Sequence, residues 1–513
     1  MNYFSPCPLP ADETVVSAWD SELRRIKTPW IEQILAEQGQ ELFQRFTSSY
    51  NELRALPRNA RRALQRKLAR SEDGLIPVEW RRRLAYSIAG AALLLALGQT
   101  VSEAAGPKSI KLSTKCTLGN AIVAVNRANL TNTSYTYLGC KASPGPATLL
   151  LAKGANLSYG ASNPLPVITS QITIQGALAN KPKKGQPPPP PGNGGTISGS
   201  GYSLFLVNGG NLTIQNVTLQ GSYDTGVGAA INVNDGSVAI FDSVISGTAI
   251  QGGAIFNAGT LTLTRSTVSN SHADYGGGIY NVGNLTIANS TITGNQADSY
   301  SGGGIYNAYS ATITNSTISN NTAAKNGGGI ANSTAGTLSI SSSTVTGNTA
   351  YKGGGIHNAQ TLTVTSSTIS NSTANYGGGL FNDDQADATL SGSTVSGNKA
   401  SVFLQTNNIY YGGYGGGINN HGGLTINSSI ISGNIADGKT VTYNYIATNY
   451  GGLGGGIFNA SYVYLGNSSV TTNTAKFIGG GVYNLPPADG ATLQPVNSTI
   501  TNNSAPAGSN VYP

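Results

Sequence analysis

The sequence predicts an all-β chain wound into a parallel solenoid of about eleven coils, and three observations predict it. The block GGGIYN recurs in nine near copies, from GGAIFN at Ile255 to GGGVYN at Val482. The closing asparagines, Asn257, Asn281, Asn307, Asn332, Asn358, Asn382, Asn420, Asn459 and Asn484, lie 24, 26, 25, 26, 24, 38, 39 and 25 residues apart. Between blocks, apolar and polar residues alternate with period two, as in LTLTRSTVSN from Leu261 to Asn270, which is the pattern of strands. Composition agrees: 68 of 513 residues are Gly, only 10% are charged and 39% are hydrophobic. That is too apolar for a disordered chain, and the glycines have no strict three-residue period, which excludes collagen.

Charge divides the chain. Residues 1–107 hold 14 basic and 12 acidic side chains, leaving 15 and 10 for the other 406 residues. The net charge of +7 is nowhere concentrated enough in the long part to neutralise a run of phosphates, so nucleic acid is not the expected partner. Residues 1–83 read as a basic helical leader that stays in the cytoplasm: Leu23, Ile26, Trp30, Ile31, Ile34 and Leu35, then Leu42, Phe43 and Phe46, recur at spacings of three and four. Residues 84–105 read as a signal peptide or signal anchor, the one membrane-targeting helix. Arg81, Arg82 and Arg83 precede an uncharged stretch, Leu84 to Ser102, with the apolar centre IAGAALLLAL; Ala104, Ala105 and Gly106 suit cleavage, whereas Glu103 does not. Uncleaved, residues 84–102 would hold the protein in the inner membrane. A buried core helix and a later translation start are the other readings.

Export would place Cys116 and Cys140 in an oxidising compartment and leave Cys7 in a reducing one, so a Cys116–Cys140 disulfide is expected, with two free thiols as the alternative. No His lies near either cysteine, so no metal and no cofactor are expected. Residues 106–199 read as an N-terminal cap and first coil, interrupted by a stiff loop, Asn180 to Gly195, that contains Pro187 to Pro191. Residues 200–513 are the repeats.

Each repeat supplies three short strands, of the types GGGIYN, LTIT and STIS, joined by turns rich in Gly and Asn. Stacked coils align like with like. Ile255, Ile279, Ile305, Ile330 and Ile356 form one inward column, and Leu263, Ile287, Ile313, Ile340 and Val364 another, each side chain contributing about 2 kcal/mol on burial. Asn295, Asn321, Asn348, Asn398, Asn434 and Asn473 are placed to hydrogen-bond from coil to coil.

On these motifs the chain resembles the right-handed parallel β-helix proteins of the pectin-lyase-like superfamily, in the version with GGGI-x-N repeats found in exported bacterial surface proteins. The segment KCTLGNAIVAVNRAN, with Gly139 and Cys140 and then LPVITSQITIQG, is similar to the CSLREA-like N-terminal cap of such proteins. The resemblance spans residues 115–513. It implies a helix after Thr117 in which Leu118, Ile122 and Val125 cover the first coil. It also implies one of several roles, since the superfamily includes lyases, hydrolases and adhesins.

For catalysis the supply is thin: ten Asp and no Glu follow Glu103, and Asp383 with Asp384 is the single close carboxylate pair, with Asp387 nearby and His357 one coil away. The GHG or RIK blocks of the polygalacturonase-like members and the GGxGxDxUx calcium repeat are missing. A binding surface is better supplied. If Ile points inward in GGGIYN, then Phe256, Tyr280, Tyr306, Ala331, His357, Phe381, Asn419, Phe458 and Tyr483 point outward, and Tyr275, Tyr300, Tyr351, Tyr376, Tyr414 and Phe477 line the preceding turn. These rings either stack on a ligand or on one another. Two coils carry insertions of about 13 residues at one turn. They are Ser401 to Gly413, with Phe403, Tyr410 and Tyr411, and Asp437 to Gly452, with Tyr443, Tyr445 and Tyr450. Together they form a lip suited to recognition, or are tolerated insertions. Outward Thr pairs, such as Thr262 with Thr264, Thr312 with Thr314 and Thr363 with Thr365, resemble the arrays of ice-binding solenoids but are broken at Ala288, Ser339 and Gly466. The expected function is an exported, secreted or cell-surface scaffold that binds carbohydrate or a surface protein; the alternative is a polysaccharide lyase or glycoside hydrolase using Asp383, Asp384 and His357.

Overall fold

The computed structural model describes residues 46, 50, 108–177, 191–192, 194–404, 410–443, 446–486 and 490–512. The leader apart from Phe46 and Tyr50, the candidate signal segment and most of the polyproline loop lie outside the described residues. Among the described residues no helix is long and apolar enough to cross a membrane. Met1–Pro107 and Lys108–Pro513 are separate compact units, and the second carries the repeats.

Alternating β-formers bury one face of a strand only if a neighbouring layer covers it, and here each coil is covered by the next. The long unit is an all-β parallel solenoid of about 13 turns with very little helix. Its sheets run the length of the rod: a 14-stranded sheet of the LTIT type, a 16-stranded sheet containing the STIS strands and a 12-stranded sheet of the IxN type. The count of about eleven coils is too low, because strands Lys108–Lys111, Ala147–Leu150 and Gln171–Gln175 pair in parallel with the repeat sheet although they carry no GGGI block. A fourth short strand per coil, as at Thr322–Ala323 and Lys399–Ala400, also lacks a signal of its own because two residues cannot show a period.

The inward columns pair in register, Ile255 on Ile279 on Ile305 and Leu263 on Ile287 on Ile313, and all are buried. Corners are where backbone groups lose ladder partners, and three polar columns replace them. At the first corner Nδ2 of each Asn from Asn257 to Asn459 donates to Oδ1 of the next, at 2.6–2.9 Å, ending at Asn484. At the second, the backbone N–H of each Ser donates to Oγ of the next, from Ser243 to Ser498, at 3.0–3.2 Å. At the third, Asn295, Asn321 and Asn348 form one run and Asn398, Asn434, Asn473 and Asn503 another, with Ser372 between them. The Gly triplet has a steric cause. Gly276 takes φ +60°, and a Cβ on Gly277 would meet the carbonyl oxygens of Gln296 and Gly303 in the next coil.

The open end of the first coil is closed by helix α1, Leu118–Thr131. Thr117 Oγ1 accepts from Asn120 N at 3.3 Å, and Leu118, Ala121, Ile122, Ala124, Val125 and Ala128 are buried. Cys116 and Cys140 are disulfide-bonded, tying the start of α1 to the strand Cys140–Ala142.

Candidate ligand-binding site

The IxN strands present their middle residue away from the core, and the residue before each left-handed Gly stands beside it. Rungs about 4.8 Å apart let rings at equivalent positions stack. Phe256, Tyr280 and Tyr306 stack in sequence, with centroids 5.5 and 4.9 Å apart. Ala331 breaks the stack, which resumes as His357, Phe381, His421, Phe458, Tyr483 and Tyr512.

Not all of this column is open to solvent. His357, Phe381, Asn419 and Phe458 are buried, whereas Phe256, Tyr280, Tyr306 and Tyr483 are partly exposed. Side chains from the adjacent turns close the middle: Tyr414 stacks on Phe458 at 5.2 Å, Lys352 Nζ lies 4.5 Å from the Phe381 ring centre, and His421 fills the gap left by Asn419. The turn aromatics form two columns rather than one. Tyr275, Tyr376 and Tyr414 directly precede Gly276, Gly377 and Gly415; Tyr300, Tyr351 and Phe477 sit one residue earlier. Tyr300 nevertheless lies parallel to Tyr275 at 4.2 Å, with Lys325 Nζ 4.3 Å from its ring centre. The rings therefore spend their faces largely on one another and on lysines. Burial pushes the phenols of Tyr275, Tyr280, Tyr376 and Tyr414 above their ordinary value, so each stays protonated.

Of the three residues considered for catalysis, His357 and Asp383 come together, whereas the Asp384 side chain lies against a different histidine. His357 Nε2 lies 3.5 Å from Asp383 Oδ2, and His421, which the sequence reading passed over, has Nδ1 3.7 Å from Asp384 Oδ1. Burial lowers the His357 pKa to about 4, with Lys352 adding and Asp383 opposing, so the ring is neutral at pH 7. Its Nε2 is buried without a hydrogen-bond partner, and only 5% of the residue is exposed. His421 is also lowered by burial, against Asp384. A signal for His421 existed: it follows Asn420 as Asp383 follows Asn382, which places the two one rung apart. Among the described residues no group of three His, Cys, Asp or Glu is placed to hold a metal ion.

The two insertions are antiparallel hairpins, Val402–Leu404 with Tyr410–Gly412 and Gly438–Tyr443 with Ile446–Gly451. They leave the rod at the same corner of successive coils, and Lys399 Nζ pairs with Asp437 Oδ2 at 3.2 Å near their bases. In the first hairpin Phe403 lies opposite Tyr411, their rings 6.0 Å apart, and Phe403 also meets Tyr351 edge-on at 5.3 Å. Tyr411 is 41% exposed and Leu404 54%. Tyr450 is half-buried opposite Lys439. Tyr445 and the side chains of Tyr410 and Tyr443 lie outside the described residues.

A family model described as a right-handed β-helix region matches residues 202–365 and 252–408. The solenoid is right-handed. The fold is also similar to the A-module of mannuronan C-5 epimerase AlgE6 from Azotobacter vinelandii, at 12% identity and a TM-score of 0.33, over 77% of this chain and 94% of that one. A likeness at that level fixes no activity. No curated protein matches the chain.

Proposed function

We propose that the protein is an exported β-helix scaffold that binds carbohydrate at the hairpin lip. The observation that carries this reading is the placement of two adjacent hairpins at one corner of a rigid rod, with Tyr411 and Leu404 exposed beside the Phe403–Tyr351 pair. Recognition concentrates on loops held by a stiff frame, and an exposed Tyr offers both a ring face and a hydroxyl to a sugar. Export is supported by the Cys116–Cys140 disulfide and by the uncharged segment Leu84 to Ser102 behind Arg81, Arg82 and Arg83. A surface-exposed or secreted adhesive role, with anchoring through residues 84–102 if the segment is retained, belongs to this proposal.

Screening the full chain on a glycan array tests it. Binding by at least one glycan is expected, and Tyr411→Ala with Phe403→Ala weakens it about tenfold, the loss of roughly 1.4 kcal/mol of ring contact. An array without a hit, or unchanged affinity in the double variant, overturns the reading. The proximity of His357 to Asp383 and of His421 to Asp384 favours a second reading, a polysaccharide-cleaving enzyme. Release of reducing ends from a bound glycan, abolished by Asp383→Asn, would establish it in place of the first.

A further inference from the structure

The STIS-type strands carry a surface unlike the other two. In register along the rod, their first outward position is Thr267, Thr291, Thr317, Thr344, Thr368 and Thr394 in unbroken succession. The second position, two residues on, is Ser or Thr in every coil from Ser269 to Thr501, and of these only Ser370 is buried. Over these coils Ile430 alone lacks a hydroxyl. From Asn289 to Asn502 neither these strands nor the corner residues flanking them carry a charge, and the ladder has no register shift. Hydroxyls are held in place across rungs: Ser319 Oγ donates to Thr293 Oγ1 and Ser370 Oγ to Thr346 Oγ1, both at 3.1 Å. The result is a two-column lattice with a repeat of about 4.8 Å along the rod and about 6.6 Å across it.

We propose that this face binds ice. The ligand is a crystal of water, itself a periodic array of hydrogen-bond donors and acceptors. A single hydroxyl contributes little on exchanging one water partner for another, so adhesion requires many hydroxyls in step on a support that does not flex. The buried core and corner ladders supply that support. Threonine methyls confine the adjoining water while the hydroxyls fix its orientation, and the missing charges leave no ion shell to melt the first layer. The LTIT face does not qualify, although its Thr pairs suggested such an array. Its middle column is interrupted by Ala239 and Tyr464, and Asp387 stands on the same face.

Partition of the full chain into ice grown slowly on a cold finger, with serum albumin as the non-binding control, decides the matter. Enrichment in the ice over albumin, with faceted crystals and a gap between melting and growth temperatures, is expected. Distribution equal to that of albumin overturns the proposal. Thr344→Tyr, at the middle of the face, lowers enrichment to the albumin level while circular dichroism and glycan binding stay unchanged. Thr317→Lys is the second variant should the first not fold. Undiminished enrichment in a folded variant rules out this face.

Discussion

At the scale of single residues, His357 shows how a solenoid treats a titratable group placed in a ring stack. The unfolded chain binds a proton at this ring near pH 6.5, and the folded chain only near pH 4. Unfolding therefore takes up a proton between those values, and stability falls as the solution is acidified through the window, by about 3 kcal/mol at full extent. His357→Phe keeps a ring between Ala331 and Phe381 and removes the proton. Its denaturation midpoint should fall less between pH 7 and pH 4 than that of the parent. An identical fall in both proteins would show that the buried imidazole is not the source.

Elements set a different kind of cost. The first-corner Asn ladder is a chain of shared donors and acceptors, so a break in its middle costs more than one at its end. Asn358 receives from Asn332 and donates to Asn382, Gln360 and Asp387, whereas Asn257 only donates, and its Oδ1 is already unpartnered. With about 1–3 kcal/mol for each buried polar group left unpaired, Asn358→Ala should destabilise by more than Asn257→Ala, measured by urea unfolding. Equal losses would mean that the amides act independently. The same elements explain what could be read in advance. Columns repeated nine times, such as Ile255 to Val482 and Asn257 to Asn484, were legible because stacking forces like onto like. The strands at Lys108, Ala147 and Gln171 were not, since a coil near the cap is read once and has no copy to be compared with. Of the candidate site, Asp383 and His357 were legible as neighbours. The closure over Phe381 and Phe458 was not, because it depends on Lys352, Tyr414 and His421 folding across from other segments.

For the whole molecule, stability passes from coil to neighbouring coil, and α1 with its disulfide seals one end. Replacing Cys116 and Cys140 by Ser should cost about 2–4 kcal/mol and speed hydrogen exchange first in Leu118–Thr131 and the adjoining strands. Exchange that accelerates evenly along the rod would contradict a neighbour-by-neighbour scheme. The first-corner ladder has one more property: every amide bond in it runs the same way, from Asn257 towards Asn484. The rod is thus polar, with an unfilled acceptor at the Asn257 end. Any coil spliced between two others meets an acceptor on one side and a donor on the other, so gene duplication can lengthen such a protein by whole repeats without redesigning a single junction.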